Sequence, residues 1–226
     1  RREADKLIEA GKVSVNGTVA GVGVKVTDQD TVSINGKPVK PKQKAVYLAY
    51  YKPEGITCTT ERHVHGNVID AINHPLRIFP IGRLDKPSEG LIFLTSDGDI
   101  VNKILRAGNQ HEKEYVVTLN QAFPNEVMDQ LIKGVHTPEG RAKAKAVRRI
   151  SPRRVKVVLE TGLKRQIRYM FDAVHLKVTK LVRIRIGMLE DTRLELGCWR
   201  HLDEAEIEAL GKNPPQRKAP ADVVRA

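Results

Sequence analysis

The 226-residue chain contains little cysteine, since Cys58 and Cys198 are the only two and neither belongs to a C-x-x-C pair. Two distant cysteines provide neither a disulfide framework nor a zinc ribbon. No apolar run is long enough to cross a bilayer and no signal peptide is present, so we expect a cytoplasmic protein. The sequence begins with Arg1 and not with Met, and we therefore expect that the natural N-terminus lies upstream.

The chain has fewer acidic residues than basic residues. The chain has 39 Lys and Arg residues against 27 Asp and Glu residues, which gives a formal net charge of +12 and a sequence pI near 9.8. This excess favours a polyanionic partner such as a nucleic acid, although a solvated basic surface would give the same composition. With 40% hydrophobic residues, the chain can bury the core of one or two domains.

Motifs for metal chemistry are incomplete. The sequence HEKEY, which starts at His111, lacks the second histidine of H-E-x-x-H because Tyr115 occupies that position. Three further histidines follow Cys58, and they favour a polar loop over a metal cluster: His63, His65 and His74. We therefore expect neither a metal nor any other cofactor.

Composition shifts along the chain predict two domains. Residues 1–40 form a small module in which an amphipathic helix ends at Gly11 and short strands are joined by Asn-Gly turns. Residues 41–44 are a basic, proline-containing linker, and residues 45–210 form the larger domain. Residues 211–226 are rich in proline and charge, which predicts a flexible basic tail.

The larger domain mixes strand-like and helix-like segments. The strand-like segments are 45–50, 91–96, 114–119, 154–160 and 180–186. The helix-like segments are 99–108, 125–134 and 164–174. Because the two types do not alternate as βαβ units require, we expect an α+β fold with a mixed, largely antiparallel sheet and not a doubly wound fold.

A lone carboxylate, Asp85, lies in the stretch FPIGRLDKPSEGLIFLTSDGD (residues 79–99), which reads as a strand, a charged loop and a second strand. A loop at such a junction can present a reactive side chain, but turn aspartates are also common there. Arg168 has two interpretations as well: an exposed pair with Asp172, or a guanidinium directed at Asp85. Spacing alone does not decide between these alternatives.

Five separated segments occur in the order that is typical of RNA pseudouridine synthases, and the chain resembles this family. The segments are KPEGI (52–56), GRLDKPSEGLIFLTSDGD (82–99), KEY (113–115), GLKRQIRYM (162–170) and LGCWRHL (196–202). The chain is most similar to the branch that modifies ribosomal RNA and carries an N-terminal S4-type RNA-binding domain. Within that branch, residues 104–118 resemble the F type of the large-subunit enzymes.

The resemblance implies isomerisation of uridine to pseudouridine in 23S ribosomal RNA, and a tRNA is a second candidate substrate. In this reaction the N1–C1′ bond breaks, the uracil turns and C5 joins C1′, so no water, redox step or cofactor is needed. The expected enzyme is a monomer that acts on a base flipped out of its stack. The alternative is a non-catalytic RNA-binding or ribosome-assembly factor on the same fold.

The resemblance also implies roles for individual residues. Asp85 corresponds to the single aspartate on which these enzymes depend, as a nucleophile at C1′ or as a base for the 2′-proton. Arg168 corresponds to the basic residue that pairs with this aspartate. Tyr115 corresponds to the aromatic residue that lies against the base, and Arg83 to an arginine that contacts RNA near the vacated position. Ile167 is expected to line the uracil pocket.

Further RNA contacts are expected from two groups of residues. Residues 1–17 resemble the second helix and following turn of an S4 domain, whose first helix would precede Arg1. The predicted contacts there are Arg1, Arg2, Lys6, Lys12, Asn16 and Gly17. In the larger domain, the predicted phosphate contacts are Lys52, Lys113, Lys164 and Arg165. Such contacts contribute affinity and shape recognition more than sequence choice.

Overall fold

The computed structural model of the chain describes residues 2–27, 29–39, 44–100, 111–191 and 193–214. The chain divides into two compact units, Arg1–Lys44 and Ala45–Ala226, each with its own sheet. In the described ranges, no helix is both long and apolar enough to span a membrane.

The N-terminal unit combines one helix with a four-stranded antiparallel sheet of order β2-β1-β3-β4. Its elements are α1 (Arg2–Glu9), β1 (Val13–Val15), β2 (Thr18–Val19), β3 (Val32–Ile34) and β4 (Lys37–Pro38). Both Asn-Gly turns have positive φ at both residues, for example 51° at Asn16 and 84° at Gly17. Tight hairpin turns require this backbone conformation, and asparagine and glycine tolerate it best.

The C-terminal unit is built on a nine-stranded sheet. The sheet strands are β5 (Tyr47–Lys52), β6 (Phe79–Ile81), β7 (Glu89–Thr95), β8 (Lys113–Leu119), β11 (Ala146–Ser151), β12 (Arg154–Leu159), β13 (Val178–Ile186), β14 (Leu189–Glu190) and β15 (Trp199–His201). A separate hairpin comprises β9 (Val135–Thr137) and β10 (Gly140–Ala142). The helices of this unit with described bounds are α2 (Val68–Ile72), α3 (Glu126–Lys133), α4 (Gln166–Asp172) and α5 (Glu204–Ala209).

The main path of this sheet is β11-β12-β8-β13-β7-β5-β15, with β6 paired to β7 and β14 paired to β13. All of these pairs are antiparallel except β13 with β7. The expected α+β fold with a mixed, largely antiparallel sheet is therefore confirmed. The predicted helix at 99–108 extends into residues 101–110, which lie outside the described residues.

The segment predicted as a polar histidine loop contains helix α2. Asn67 caps its N-terminus by accepting a hydrogen bond from the Asp70 backbone N–H at 2.8 Å, and Asn73 ends the helix with a φ of 48°. Val68 and Ile72 are buried in the core. A helix of five residues is too short for its apolar periodicity to show in the sequence.

Two hydrophobic cores lie on opposite faces of the sheet, as the alternation along β5 shows. Leu48 and Tyr50 belong to the larger core, which also contains Phe171 of α4, whereas Ala49 belongs to the smaller core with Phe93. This alternation follows from the two-residue period of a strand. Strands buried on both faces read as nearly continuous apolar runs, as in residues 91–94.

Strands β7 and β13 touch only briefly. They pair in parallel through Glu89 with Val182 and through Gly90 with Arg183. Beyond this contact β7 pairs with β5 and β6, while β13 pairs with β8 and β14. Gly90 has a φ of 113°, and a Cβ atom there would lie 2.2 Å from the backbone oxygen of Arg183. The close approach of the two strands therefore requires glycine.

An ion-pair network links β8 to neighbouring strands. Glu114 binds Lys156 at 3.0 Å and Arg185 at 2.9 Å. Glu112, just before β8, binds Lys145 at 2.7 Å and Arg185 at 3.0 Å. Burial acts to raise the pKa of each glutamate, but the hydrogen bonds from its cationic partners outweigh burial, so both pKa values are lowered.

Residues 211–213, predicted as the start of a flexible tail, instead bind the C-terminal unit. The backbone oxygen of Lys212 accepts a hydrogen bond from the Met188 N–H at 3.0 Å. The side-chain oxygen of Asn213 accepts one from the Glu112 N–H at 2.8 Å. Composition could not reveal these contacts because they are made with distant backbone groups. The rest of the predicted tail, residues 215–226, lies outside the described residues.

We predict that Gly90→Ala destabilises the protein by about 3 kcal/mol or more, because a methyl group meets the Arg183 backbone at a positive φ. Chemical unfolding followed by circular dichroism measures this loss. Gly140→Ala is the matched control, since Gly140 has a similar φ of 105° but nothing within 4 Å of its added Cβ. Equal losses in both variants would contradict the steric argument.

We predict that acid weakens the fold through the ion-pair network. A lowered folded-state pKa means that Glu112 and Glu114 stabilise the fold fully above an unfolded-state value of about 4.5, and lose this contribution as pH falls through the folded-state pKa. Glu114→Gln should lose about 1–2 kcal/mol of unfolding free energy at neutral pH and flatten the acid profile. Urea unfolding across this pH range measures both effects. Exposed Glu139 supplies the control Glu139→Gln, and an unchanged profile for Glu114→Gln would contradict the prediction.

Candidate active site

A cavity of about 630 Å³ lies at the divergence of β7 and β13, with Phe93 of β7 and Ile186 of β13 in its lining. Among the described residues that line it, Asp85 is the only carboxylate. Five cations share the lining: Arg83, Lys113, Lys164, Arg165 and Arg183. The cavity is therefore strongly positive around a single acid, a charge distribution that suits an anionic ligand.

Asp85 lies in the loop between β6 and β7, residues 82–88, hereafter the Asp85 loop. Its side chain is half-buried, and its backbone oxygen accepts a hydrogen bond from the Ser88 N–H at 3.0 Å. Within the described part of the chain, no side chain forms a hydrogen bond or an ion pair within 4 Å with its carboxylate. The carboxylate thus faces the cavity without an internal partner.

Three cations from different elements hold the Asp85 loop through its backbone carbonyl groups. The pairs are Arg183 Nη1 with Arg83 O at 3.3 Å, Lys52 Nζ with Lys86 O at 3.4 Å and Arg168 Nη2 with Pro87 O at 2.6 Å. Hydrogen bonds from charged donors are stronger than neutral ones. The backbone on both sides of Asp85 is therefore fixed by β13, β5 and α4.

Arg168 does not form the direct pair with Asp85 that was predicted, since no ion pair within 4 Å joins these two described residues. Its guanidinium donates to the carbonyl groups of Pro87 and Val178, the latter at 3.2 Å, and Arg168 does not line the cavity. Burial lowers the pKa of Arg168, Arg165 lowers it further, and the Asp85 carboxylate acts in the opposite direction. Arg168 therefore supports the Asp85 loop through a backbone carbonyl group, and its positive charge interacts with the Asp85 carboxylate without a direct ion pair.

Lys52 cannot make the predicted phosphate contact because its side chain is completely buried. Its ammonium group donates to the carbonyl oxygens of Pro53 at 2.8 Å and Ile56 at 2.9 Å, in addition to Lys86. Burial lowers the pKa of Lys52. This lysine joins residues 52–56 to the Asp85 loop, and the sequence does not reveal this contact because Lys52 and Lys86 are 34 residues apart.

Arg183 is a site residue that sequence reasoning missed. The residue is 3% exposed, and its Nε donates to Leu91 O at 2.8 Å. In the β8–β13 register Arg183 lies directly opposite Tyr115. The sequence does contain one indication of this position. Arg183 follows Leu181 by two residues in an apolar strand, so both side chains point to the core side of the sheet.

The other predicted pocket residues do meet at the cavity. Tyr115 and Ile167 are 8% and 4% exposed and contribute apolar surface to its wall. Lys113 donates to the His111 carbonyl at 2.8 Å, and burial, assisted by Arg183, lowers the pKa of Lys113. Arg83, Lys164 and Arg165 also line the cavity.

The predicted RNA contacts of the N-terminal unit are surface residues wherever their exposure is described: Lys6, Lys12, Asn16 and Gly17. The amide of Asn16 is also engaged inside the unit, because it donates to Asp30 at 2.8 Å and accepts from the Thr31 N–H at 2.8 Å. Arg2 begins α1, and Arg1 lies outside the described residues. These RNA contacts stay predictions.

Comparison with known proteins defines the class to which this fold and site belong. Residues 46–173 match the RNA pseudouridylate synthase family, and residues 1–32 match the S4 domain. A crystal structure described as a pseudouridylate synthase superposes with a TM-score of 0.69 and 27% sequence identity, covering 92% of this chain and 93% of that one. The chain belongs to the RNA pseudouridine synthase family and is an enzyme of that class acting on RNA.

Two individual relatives are similar to this chain over more than nine-tenths of its length. The chain is 45% identical to the dual-specificity RNA pseudouridine synthase RluF of Salmonella typhi, over 94% of this chain and 74% of the relative. It is 35% identical to the ribosomal large subunit pseudouridine synthase B of Bacillus subtilis, over 93% of this chain and 89% of the relative. The expected family and its S4 domain are thereby confirmed.

We predict that Lys52→Met destabilises the protein by about 2–4 kcal/mol, because the carbonyl groups of Pro53, Ile56 and Lys86 lose the charged donor that a fully buried side chain supplies. Thermal and urea unfolding measure the loss. Lys86→Met is the matched control, since Lys86 is an exposed lysine of the Asp85 loop and should change stability by less than about 0.5 kcal/mol. Wild-type stability in Lys52→Met would contradict the structural role of this lysine.

Proposed function

We propose that this enzyme converts uridine to pseudouridine in 23S ribosomal RNA, with Asp85 as its catalytic carboxylate, and that it works as a monomer in the cytoplasm. The Bacillus subtilis relative, named for the large ribosomal subunit, supports a large-subunit substrate. The term dual-specificity in the name of the Salmonella typhi relative supports a second RNA substrate, for which we propose a tRNA.

The observation that carries the catalytic assignment is the unpartnered Asp85 carboxylate, the one acid among the described residues of a cavity lined by five cations. Both possible roles, nucleophile at C1′ and base for the 2′-proton, require the carboxylate form of Asp85. Hydrolytic glycosidases typically need two carboxyl groups, because one protonates the leaving group and the other directs water. An isomerisation without water needs only one.

The bond changes balance without an added reactant. In one route Asp85 attacks C1′, the N1–C1′ electron pair leaves with the uracil, and C5 then displaces the carboxylate. In the other route Asp85 removes the 2′-proton while the N1–C1′ electron pair leaves with the uracil, which gives a glycal; C5 then bonds to C1′ and Asp85 returns its proton to C2′. Both routes end when C5 loses its proton and N1 gains one, and both begin with Asp85 as a carboxylate.

The remaining residues bind and orient the substrate. Tyr115 lies against the uracil face and Ile167 closes the apolar side of the pocket. Arg83, an exposed residue two positions before Asp85 in the same loop, contacts RNA next to the base that has turned out. Arg168 holds the Asp85 loop, and with it the Asp85 carboxylate, through a hydrogen bond to the Pro87 carbonyl group. Turning the base out of its stack costs a few kcal/mol, which RNA contacts such as those of Lys164 and Arg165 offset.

We predict that Asp85→Asn abolishes isomerisation while RNA binding and folding persist. Asparagine retains the shape of aspartate but is neither a nucleophile nor a base at C1′. Release of tritium from C5 of labelled uridine in 23S RNA measures turnover, and unfolding and RNA binding are measured on the same preparation.

Asp172→Asn, which neutralises an exposed carboxylate on α4, serves as the matched control and should keep wild-type turnover. Turnover by folded Asp85→Asn within about tenfold of wild type would refute the catalytic assignment, because loss of an essential nucleophile usually costs far more.

A further inference from the structure

Two buried side chains that line the cavity carry donor atoms without a hydrogen-bond partner among the described residues. These atoms are Nη2 of Arg183 and Nε2 of Gln166. Arg183 is 3% exposed and Gln166 is 5% exposed, so solvent does not satisfy them. Buried donors in native proteins almost always have partners, and an exception beside a binding cavity points to a ligand.

The position of the Arg183 guanidinium is fixed by its other two nitrogens. Nε donates to Leu91 O at 2.8 Å and Nη1 donates to Arg83 O at 3.3 Å. Leu91 belongs to β7 and Arg83 to the Asp85 loop, while Tyr115 is the cross-strand neighbour of Arg183 in β8. The unpartnered Nη2 is thus held between the strand of the base-facing tyrosine and the loop of the carboxylate.

The orientation of the Gln166 amide is fixed in the same way. Its Oε1 accepts hydrogen bonds from the Leu163 N–H at 3.0 Å and from the Thr161 hydroxyl at 2.9 Å. Because a backbone N–H can only donate, the oxygen must occupy this position and the NH₂ group must take the other one. The NH₂ group of Gln166, a residue of the cavity wall, is therefore the donor that has no partner among the described residues.

The charge balance of the reaction identifies what these donors bind. Asp85 loses its negative charge when it attacks C1′ and equally when it takes the 2′-proton. In both routes the N1–C1′ electron pair passes to the uracil, which becomes an anion. The negative charge therefore moves from Asp85 to the base. A fixed cation in the same cavity lowers the barrier when it stabilises this charge at the base, where the charge develops during the reaction.

We propose that Arg183 and Gln166 form the uracil-binding subsite, in which their unpartnered N–H groups bind the two carbonyl oxygens of the base and Arg183 stabilises the detached uracil anion. This inference rests on the proposed function. A half-turn of uracil about its N3–C6 axis exchanges N1 with C5 and also O2 with O4. The same two donors therefore hold the base before and after it turns.

The charge role of Arg183 is tested with Arg183→Lys on two substrates under single-turnover conditions. The substrates are 23S RNA transcripts that contain radiolabelled uridine or 5-fluorouridine, and new labelled nucleosides are separated after digestion. Fluorine withdraws electrons and stabilises the uracil anion, so the enzyme's own stabilisation matters less. We expect a loss of about 100-fold or more with uridine and of about tenfold or less with 5-fluorouridine.

The control for Arg183→Lys is Arg185→Lys, because Arg185 lies two residues away and its partners in the described part of the chain are structural: Glu112, Glu114 and the Gly187 carbonyl. Its losses should be small and equal for both substrates. Equal losses for the two substrates in Arg183→Lys, or no loss at all, would overturn the charge role, because support of the Asp85 loop alone cannot distinguish the two bases.

The donor role of Gln166 is tested with Gln166→Glu, which keeps an oxygen for Leu163 and Thr161 but replaces the NH₂ group with a second oxygen. We expect a loss of about 100-fold or more in single-turnover rate with an unchanged melting temperature. Gln121→Glu, the same change at an exposed glutamine that does not line the cavity, is the control and should keep the wild-type rate. A wild-type rate in Gln166→Glu would overturn the donor assignment, and this test stands even where Arg183→Lys does not fold.

Failure of this inference is distinguishable from failure of the proposed function. A wild-type chain that releases no tritium from 23S RNA would contradict the proposed function. An active wild-type chain together with uniform losses in Arg183→Lys, or full activity in Gln166→Glu, would contradict only the subsite.

Discussion

The parallel contact between Gly90 and Arg183 is the constraint on which the C-terminal unit depends. It joins the β11-β12-β8-β13 side of the sheet to the β7-β5-β15 side through two residue pairs, and the strands then separate. Because the backbones approach too closely for any Cβ at position 90, the junction admits only glycine. The cavity lies at this divergence, so the same contact that joins the sheet also creates the site.

The position of the Asp85 loop rests on hydrogen bonds from cations to backbone carbonyl groups, and not on an ion pair with the Asp85 carboxylate. Arg183, Lys52 and Arg168 bind the Asp85 loop at three carbonyl oxygens. Such bonds fix the backbone of the loop without engaging the carboxylate oxygens of Asp85. The charges of Lys52 and Arg168 also interact with the Asp85 carboxylate without a direct ion pair. Support and electrostatics are thus provided by the same side chains.

Burial explains two differences between the expectations from the sequence and the structure, one at Lys52 and one at Arg183. The sequence presents Lys52 and Arg183 alike as cations beside apolar residues, and such cations are usually exposed. In the structure both are buried, because each finds carbonyl partners on loops and strands far away in sequence. Residues 211–213 are a similar case, since their contacts with Met188 and Glu112 use backbone groups that no composition can reveal.

Several features of the protein were determined by sequence alone. Apolar periodicity located the main strands and helices α3 and α4, the Asn-Gly turns marked the hairpins of the N-terminal unit, and the motif around Asp85 indicated the family. These features depend on local steric rules and on short contiguous patterns. Only the tertiary structure decided that Gln166 and Arg183 face one cavity with Asp85, and that Arg168 holds the loop through Pro87. Those facts depend on which strands become neighbours, and that is set by packing across the whole sheet.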